Sequence, residues 1–199
     1  MIDERFVILG VLIGFAGGLS YLIDTVKGKV KPNRVTWFMW ALAPLIAFAA
    51  EIKQGVGLTS LMTFAVGFNP LLIFIASFVN KKSVWKITKF DLACGFLSLV
   101  GLILWLFTRV GNIAIFFSIL ADGLAAIPTL IKSYKEPGSE SYLVFFGGAI
   151  SATLTLLTIK EWNFAHYGFP AYIFTICITL ILLIKFKLGK HISVILSSR

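Results

Sequence analysis

Seven uninterrupted apolar runs, at about 5–26, 35–51, 58–79, 91–109, 112–133, 141–159 and 168–188, take up most of the 199 residues of this chain. Each has close to the ~17–25 residues that an α-helix needs to cross the ~30 Å hydrocarbon core of a bilayer. The runs are continuous rather than alternating, which excludes a lipid-facing β-barrel. Composition agrees: 58% of the side chains are hydrophobic, 19 are Phe, and only 14% are charged. A soluble domain of this size leaves roughly 30% of its surface in water and cannot hide so many apolar groups. The chain therefore reads as an all-α polytopic membrane protein whose first partner is the lipid bilayer. A Rossmann domain, a soluble barrel and a nucleic-acid module are excluded. The net charge of +9 is explained by loop bias rather than by a nucleic-acid partner.

That bias also orients the chain. With the N-terminus outside, fourteen of the eighteen Lys and Arg fall in cytoplasmic segments and four in external ones. The cytoplasmic set is Lys27, Lys29, Lys31 and Arg34, then Lys81, Lys82, Lys86 and Lys89, then Lys132 and Lys135, then Lys185, Lys187, Lys190 and Arg199. The external set is Arg5, Lys53, Arg109 and Lys160. Seven spans, N-terminus out and C-terminus in, satisfy the positive-inside rule at every loop; six or eight would scramble it. The acidic start, Asp3-Glu4, has the wrong sign for a cleaved signal peptide, so the first run is expected to stay as a helix. A bacterial cytoplasmic membrane is the expected location. Cys94 and Cys177 lie inside apolar runs and read as small hydrophobes.

A shift of 105 residues lays Gly18-Leu19 on Gly123-Leu124, Lys27 on Lys132, Pro32 on Pro137, and Thr36-Trp37 on Ser141-Tyr142. Ala16/Ala121 and Ala47/Ala152 also match. All fall at equivalent places in helices 1 and 2 against helices 5 and 6. The chain then divides into a first triple-helix repeat (1–79), a loop with linker helix 4 (80–111), a second triple-helix repeat (112–188) and a tail (189–199). One extra crossing keeps the two triplets parallel, a known transporter plan. The segment Ala125-Ala126-Ile127-Pro128-Thr129-Leu130-Ile131-Lys132-Ser133-Tyr134, followed by Gly138-Ser139-Glu140-Ser141, resembles a PQ-loop motif. The 3+1+3 layout is similar to that of the PQ-loop/SWEET (MtN3-like) superfamily. Pro-Gln reads Pro128-Thr129 in the second copy and Ile23-Asp24 in the first, so both motifs are degenerate.

Polar groups at membrane depth need a reason. Asp122 lies about ten residues, or ~15 Å, into helix 5, where a carboxylate costs at least ~2.5 kcal/mol to insert. Ser118, Asp122 and Thr129 share one helical face. They point either to a cavity-lining carboxyl that takes a coupling proton or holds a polar solute, or to a buried group bonded to a neighbouring helix. Asn69 and Pro70 lie halfway along helix 3. Pro70 deletes a backbone hydrogen bond and can hinge the helix, and Asn69 offers a donor and an acceptor to a solute or to a neighbouring helix. The resemblance adds weight to Asn69, because SWEET-type transporters use an Asn in the third helix of each triplet; helix 7 departs, with Thr175 and Thr179 instead. Trp40 can stack on a ring-shaped solute, with Phe145 equivalent in the second copy, whereas Trp37 reads as an interfacial belt residue. Trp85, Trp105 and Trp162 read the same way. Asp24, with Lys27 or Lys132, is a candidate cytoplasmic gate or a plain interfacial ion pair, and Pro128 with Thr129 is a candidate hinge.

His166 and His191 are too isolated for a metal site or a catalytic dyad, so neither an enzyme nor a cofactor is expected. The expected function is a transporter or facilitator of a small polar solute (sugar, vitamin or amino acid) by alternating access, with a homo-oligomer compatible. The alternative is a SWEET-like receptor or scaffold, for which a charged outward cleft around Glu51, Lys53, Glu161 and His166 would speak. Orientation is directly testable. With Cys94 and Cys177 replaced, Gln54→Cys is expected to react with an impermeant thiol reagent applied to intact cells and Glu136→Cys is not; the reverse pattern would invert the topology.

Overall fold

The computed structural model describes residues 2–83, 85–108 and 110–188, the side chains of 101 and 104–108 excepted. Arg109 and the tail with Lys190, His191 and Arg199 lie outside the described residues, as does the Trp105 side chain. Among the described residues there are seven α-helices and no strand: α1 (Phe6–Val26), α2 (Arg34–Lys53), α3 (Ser60–Ala76), α4 (Lys89–Thr108), α5 (Gly111–Lys135), α6 (Tyr142–Thr158) and α7 (Phe164–Ile184). Single 3-10 turns, Gly57–Thr59 and Pro137–Ser139, precede α3 and α6. Phe6–Val26, Arg34–Lys53, Gly57–Ala76, Gly111–Lys135 and Phe164–Ile184 are each long and apolar enough to cross a membrane.

Helix ends differ from the apolar runs wherever a cap decides them. The last helix starts at Phe164 rather than 168, because the Asn163 side chain accepts a hydrogen bond from the His166 backbone N–H at 3.3 Å. It then stops at Ile184, four residues before the run ends. The Asn33 side-chain oxygen Oδ1 accepts from the backbone N–H groups of Val35 and Thr36 at the head of α2. Thr88 and Asp91 cap α4 reciprocally: Asp91 accepts from the Thr88 N–H at 2.6 Å, and Thr88 Oγ1 accepts from the Asp91 N–H at 3.2 Å. Ser77 ends α3 earlier than the run suggests, its hydroxyl turned back on the Phe74 carbonyl at 2.6 Å. Donors and acceptors on side chains fix these termini, and hydropathy does not see them.

α3 lies between α1 and α2, and α7 between α5 and α6. The two sets meet where α1 packs on α6 and α2 on α5, while α4 rests mainly on α5 and more lightly on α2. Both cross-contacts are antiparallel: Thr36 and Trp40 of α2 meet Ala125 and Asp122 of α5, and Gly10 and Gly17 of α1 face Ser151 and Leu143 of α6. Size sorts inside from outside. Ala43, Ala47, Ala121, Ala125, Ala126 and Ala152 are buried, whereas Leu12, Leu19, Phe96, Phe116 and Phe146 are exposed. Small residues let helix backbones approach closely where lipid gives no hydrophobic push.

The α1–α6 seam is the closest approach. A Cβ on Gly17 would stand 2.8 Å from the Leu143 carbonyl oxygen, and one on Gly147 would stand 2.9 Å from that of Ile13. Backbone cannot swing aside, so the helices would have to separate. Gly17→Ala and Gly147→Ala are each expected to cost about 1–3 kcal/mol, the usual range for overpacking. Thermal denaturation of detergent-purified protein would show this, with Gly138→Ala, which meets open space, as the neutral control.

Candidate functional site

Four prolines stand inside the helices that meet at the centre: Pro44, Pro70, Pro128 and Pro170. A proline lacks the N–H that would bond four residues back, so Pro44 frees the Trp40 carbonyl, Pro70 that of Val66, Pro128 that of Leu124 and Pro170 that of His166. Trp40 and Val66 both line a cavity of about 80 Å³. Freed backbone at membrane depth is tolerated where it is buried in protein or lines a cavity. The cavity draws its wall from both helix sets: Gly14, Trp40, Val66, Asn69 and Pro70 on one side, Asp122, Phe145, Ser151, Ile173 and Cys177 on the other.

Asp122 is 2% exposed. Its Oδ2 accepts a hydrogen bond from the Tyr172 hydroxyl at 2.6 Å, and its Oδ1 has no hydrogen-bond partner among the described residues. The indole of Trp40 donates to the Asp122 backbone carbonyl at 3.3 Å, and the Thr36 hydroxyl donates to that of Ala125 at 2.8 Å. Residues one helical turn apart on α2 thus fix α5 in register. Asn69 is half-buried and donates its amide to the Gly14 carbonyl at 3.2 Å. It fits tightly there, since a Cβ on Gly18 would come within 2.6 Å of its amide carbon. The same side chain also lines a second hollow between α1 and α3.

The structure therefore brings Trp40, Asn69, Pro70, Asp122 and Phe145 to one cavity wall. Ser118 and Thr129 are buried on α5 with unpartnered hydroxyls, but neither is in that wall. Trp37 departs from its expected place at the membrane interface. It is 1% exposed, stacked at a tilt on Tyr21 at 4.6 Å and edge-on to Trp40 at 5.3 Å. The cause is helix rotation: the α2 face carrying Trp37 and Trp40 turns into the bundle, so Trp37 floors the cavity instead of meeting lipid. Trp85 is also drawn in, with Lys132 4.9 Å above its ring, while Trp162 is exposed.

Behind Trp37, at the lysine-rich end, lies a closed polar knot. Lys132 forms a salt bridge with Glu140, both side chains being at most 1% exposed. The Tyr21 hydroxyl donates to the same carboxylate, and Lys132 Nζ donates to the Lys31 carbonyl at 2.6 Å. The knot ties α1, the α1–α2 loop, α5 and the head of α6 together. Lys132 is thus held by Glu140; Asp24 lies 3.6 Å from the exposed Lys29. The loop after α3 closes the same end, with the Asn80 amide donating to the Val26 carbonyl at 2.8 Å and the Ser83 hydroxyl donating to that of Thr25. At the opposite end Glu51 turns into the α2–α3 contact and accepts from the Thr63 hydroxyl at 3.1 Å. Lys53 and Glu161 stay exposed, and His166 is held by Asn163.

Scans against protein-family models, curated proteins and solved structures found no match for the chain. Function must be argued from the site.

Sequence reasoning missed Tyr172, Ser151 and Cys177 in or beside the cavity, and Tyr21 in the knot. Each is unremarkable in an apolar run, and only the facing helix gives it a role. The knot yields a stability prediction. Removing one partner of a buried ion pair strands the other charge and costs about 3–5 kcal/mol, whereas replacing both with apolar groups of similar volume is far milder. Lys132→Met and Glu140→Leu are expected to destabilise strongly as single variants. The double variant is expected to recover most of the loss, read as melting temperature in detergent.

Proposed function

We propose that this chain is an integral protein of a bacterial cytoplasmic membrane that carries a small polar solute by alternating access. Its proposed architecture is two parallel triplets, α1–α3 and α5–α7, joined by α4, with the N-terminus outside. The observation that carries the reading is a central cavity walled by residues of both triplets, Trp40 and Asn69 from one and Asp122 and Phe145 from the other. A site at a repeat interface opens to either side when one repeat rocks against the other.

Three features support the arrangement. The middle helix of each triplet is its third in sequence, and α1 meets α6 as α2 meets α5, the pattern expected of a twofold relation along the membrane normal. The lysine-rich end, which the positive-inside rule assigns to the cytoplasm, is shut by the Tyr21–Glu140–Lys132 knot. The prolines in α2, α3, α5 and α7 supply hinge points in the helices that wall the cavity. The PQ-loop/SWEET resemblance of the α5–α6 segment points the same way. In this reading Asn69 and Trp40 contact the solute, Asp122 carries a coupling proton, and Pro70, Pro128 and Thr129 mark hinges.

Purified protein in liposomes is expected to give saturable uptake of at least one labelled sugar, amino acid or vitamin, enhanced by a pH gradient. Asp122→Asn is expected to lower gradient-driven accumulation at least tenfold while leaving downhill exchange. Uptake no greater than in empty liposomes for the whole panel would overturn the transport reading. Accumulation that stays fully gradient-driven in Asp122→Asn would overturn the role of the carboxyl.

A further inference from the structure

The cavity's chemistry is more specific than its position. Its wall is almost entirely apolar, with Trp37, Trp40 and Phe145 contributing three aromatic rings. Trp40 meets Trp37 at 80° and Phe145 at 78°, so neither pair is stacked face to face. No Lys, Arg or His is among the lining residues, and the one ionisable oxygen acid is Asp122. One of its oxygens is held by Tyr172 and the other is buried without a partner. The other polar lining groups are few: Asn69, one amide N–H of which donates to the Gly14 carbonyl, Ser151, Cys177, the indole N–H of Trp37, which has no hydrogen-bond partner among the described residues, and the backbone carbonyls that Pro44 and Pro70 free at Trp40 and Val66.

Each candidate solute class makes a different demand on such a wall. A sugar needs a ring of hydrogen-bonding partners, and this wall offers too few. An anion needs a cationic or N–H-rich pocket, and here it would face an acid with no compensating base. A buried carboxylate needs a counter-charge, and a cation near aromatic rings gains further from their quadrupoles. A proton or an organic cation can satisfy the acid in turn, so exchange of one for the other is compatible with proton coupling, and only the cation also uses the aromatic wall. From this geometry we propose that the cavity selects a small ring-bearing organic cation, its charge on Asp122 and its ring among Trp37, Trp40 and Phe145. The inference rests on the cavity being a solute site, and it names the solute class.

The test uses one skeleton in three charge states: tyramine (cation), tyrosol (neutral) and 4-hydroxyphenylacetate (anion), titrated calorimetrically into detergent-purified protein at neutral pH. Tyramine is expected to bind at least tenfold more tightly than tyrosol, and 4-hydroxyphenylacetate more weakly than both. Asp122→Asn is expected to bring tyramine and tyrosol within about twofold of each other. Tyr172→Phe, which keeps the carboxyl, is expected to retain the preference. Equal binding of tyramine and tyrosol, preference for the anion, no saturable binding of tyramine, or an undiminished preference in Asp122→Asn would overturn the proposal. If Asp122→Asn does not fold, the three-way comparison in the wild-type protein decides. Liposome uptake separates this inference from the transport reading. Tyramine binding without uptake of any solute overturns transport and leaves the site assignment standing, whereas uptake of neutral or anionic solutes without tyramine binding does the opposite.

Discussion

A helix bundle whose outside is as apolar as its inside has no hydrophobic gradient to hold it together, and the rest of this structure follows from that constraint. Cohesion has to come from close backbone approach and from polar groups that find partners inside. The chain uses both. Gly17 and Gly147 bring α1 and α6 to near-contact, and the Ala-rich faces of α2 and α5 meet with Thr36 and Trp40 donating to backbone carbonyls. The large apolar side chains that would form the core of a soluble protein lie on the outer surface instead.

The same constraint explains why the buried ionisable groups are gathered in a few places, of which Glu51 with Thr63 is the smallest. At the lysine-rich end, Lys132, Glu140 and Tyr21 neutralise and hydrogen-bond one another, and the Lys31 carbonyl takes a further donor bond. This arrangement couples two stretches about a hundred residues apart in sequence, α1 with the loop after it and the end of α5 with the turn before α6, so breaking it would release them together. At mid-depth, by contrast, Asp122 is only half satisfied. Glu51 shares this half-satisfied state, with one oxygen on Thr63 and the other without a partner among the described residues, but Asp122 alone of the two lines the central cavity.

The departures from sequence expectation have a common origin. Trp37 was expected at the interface from its nearness to a helix end, but depth along a helix says nothing about its rotation, and rotation placed it in the interior. Lys132 was a candidate partner for Asp24 on charge alone, yet the fold brings Glu140 to it. Glu51 was grouped with surface charges and instead turns toward Thr63. In each case the decision lay with a residue on another helix.

The apolar runs by themselves determined that the chain forms seven helices, because a long segment without polar relief can satisfy its backbone only internally. The sequence singled out Asn69 and Asp122 as polar groups costly to bury and Trp40 as an aromatic ring below the interface, and all three line one cavity. Tertiary structure alone decided which helices touch, that α3 and α7 each lie between their neighbours, and that Tyr172 reaches Asp122 while Tyr21 reaches Glu140. Those contacts join residues 50 and 119 positions apart. Periodicity encodes which face of a helix is polar; it carries no information about which of six other helices that face will meet.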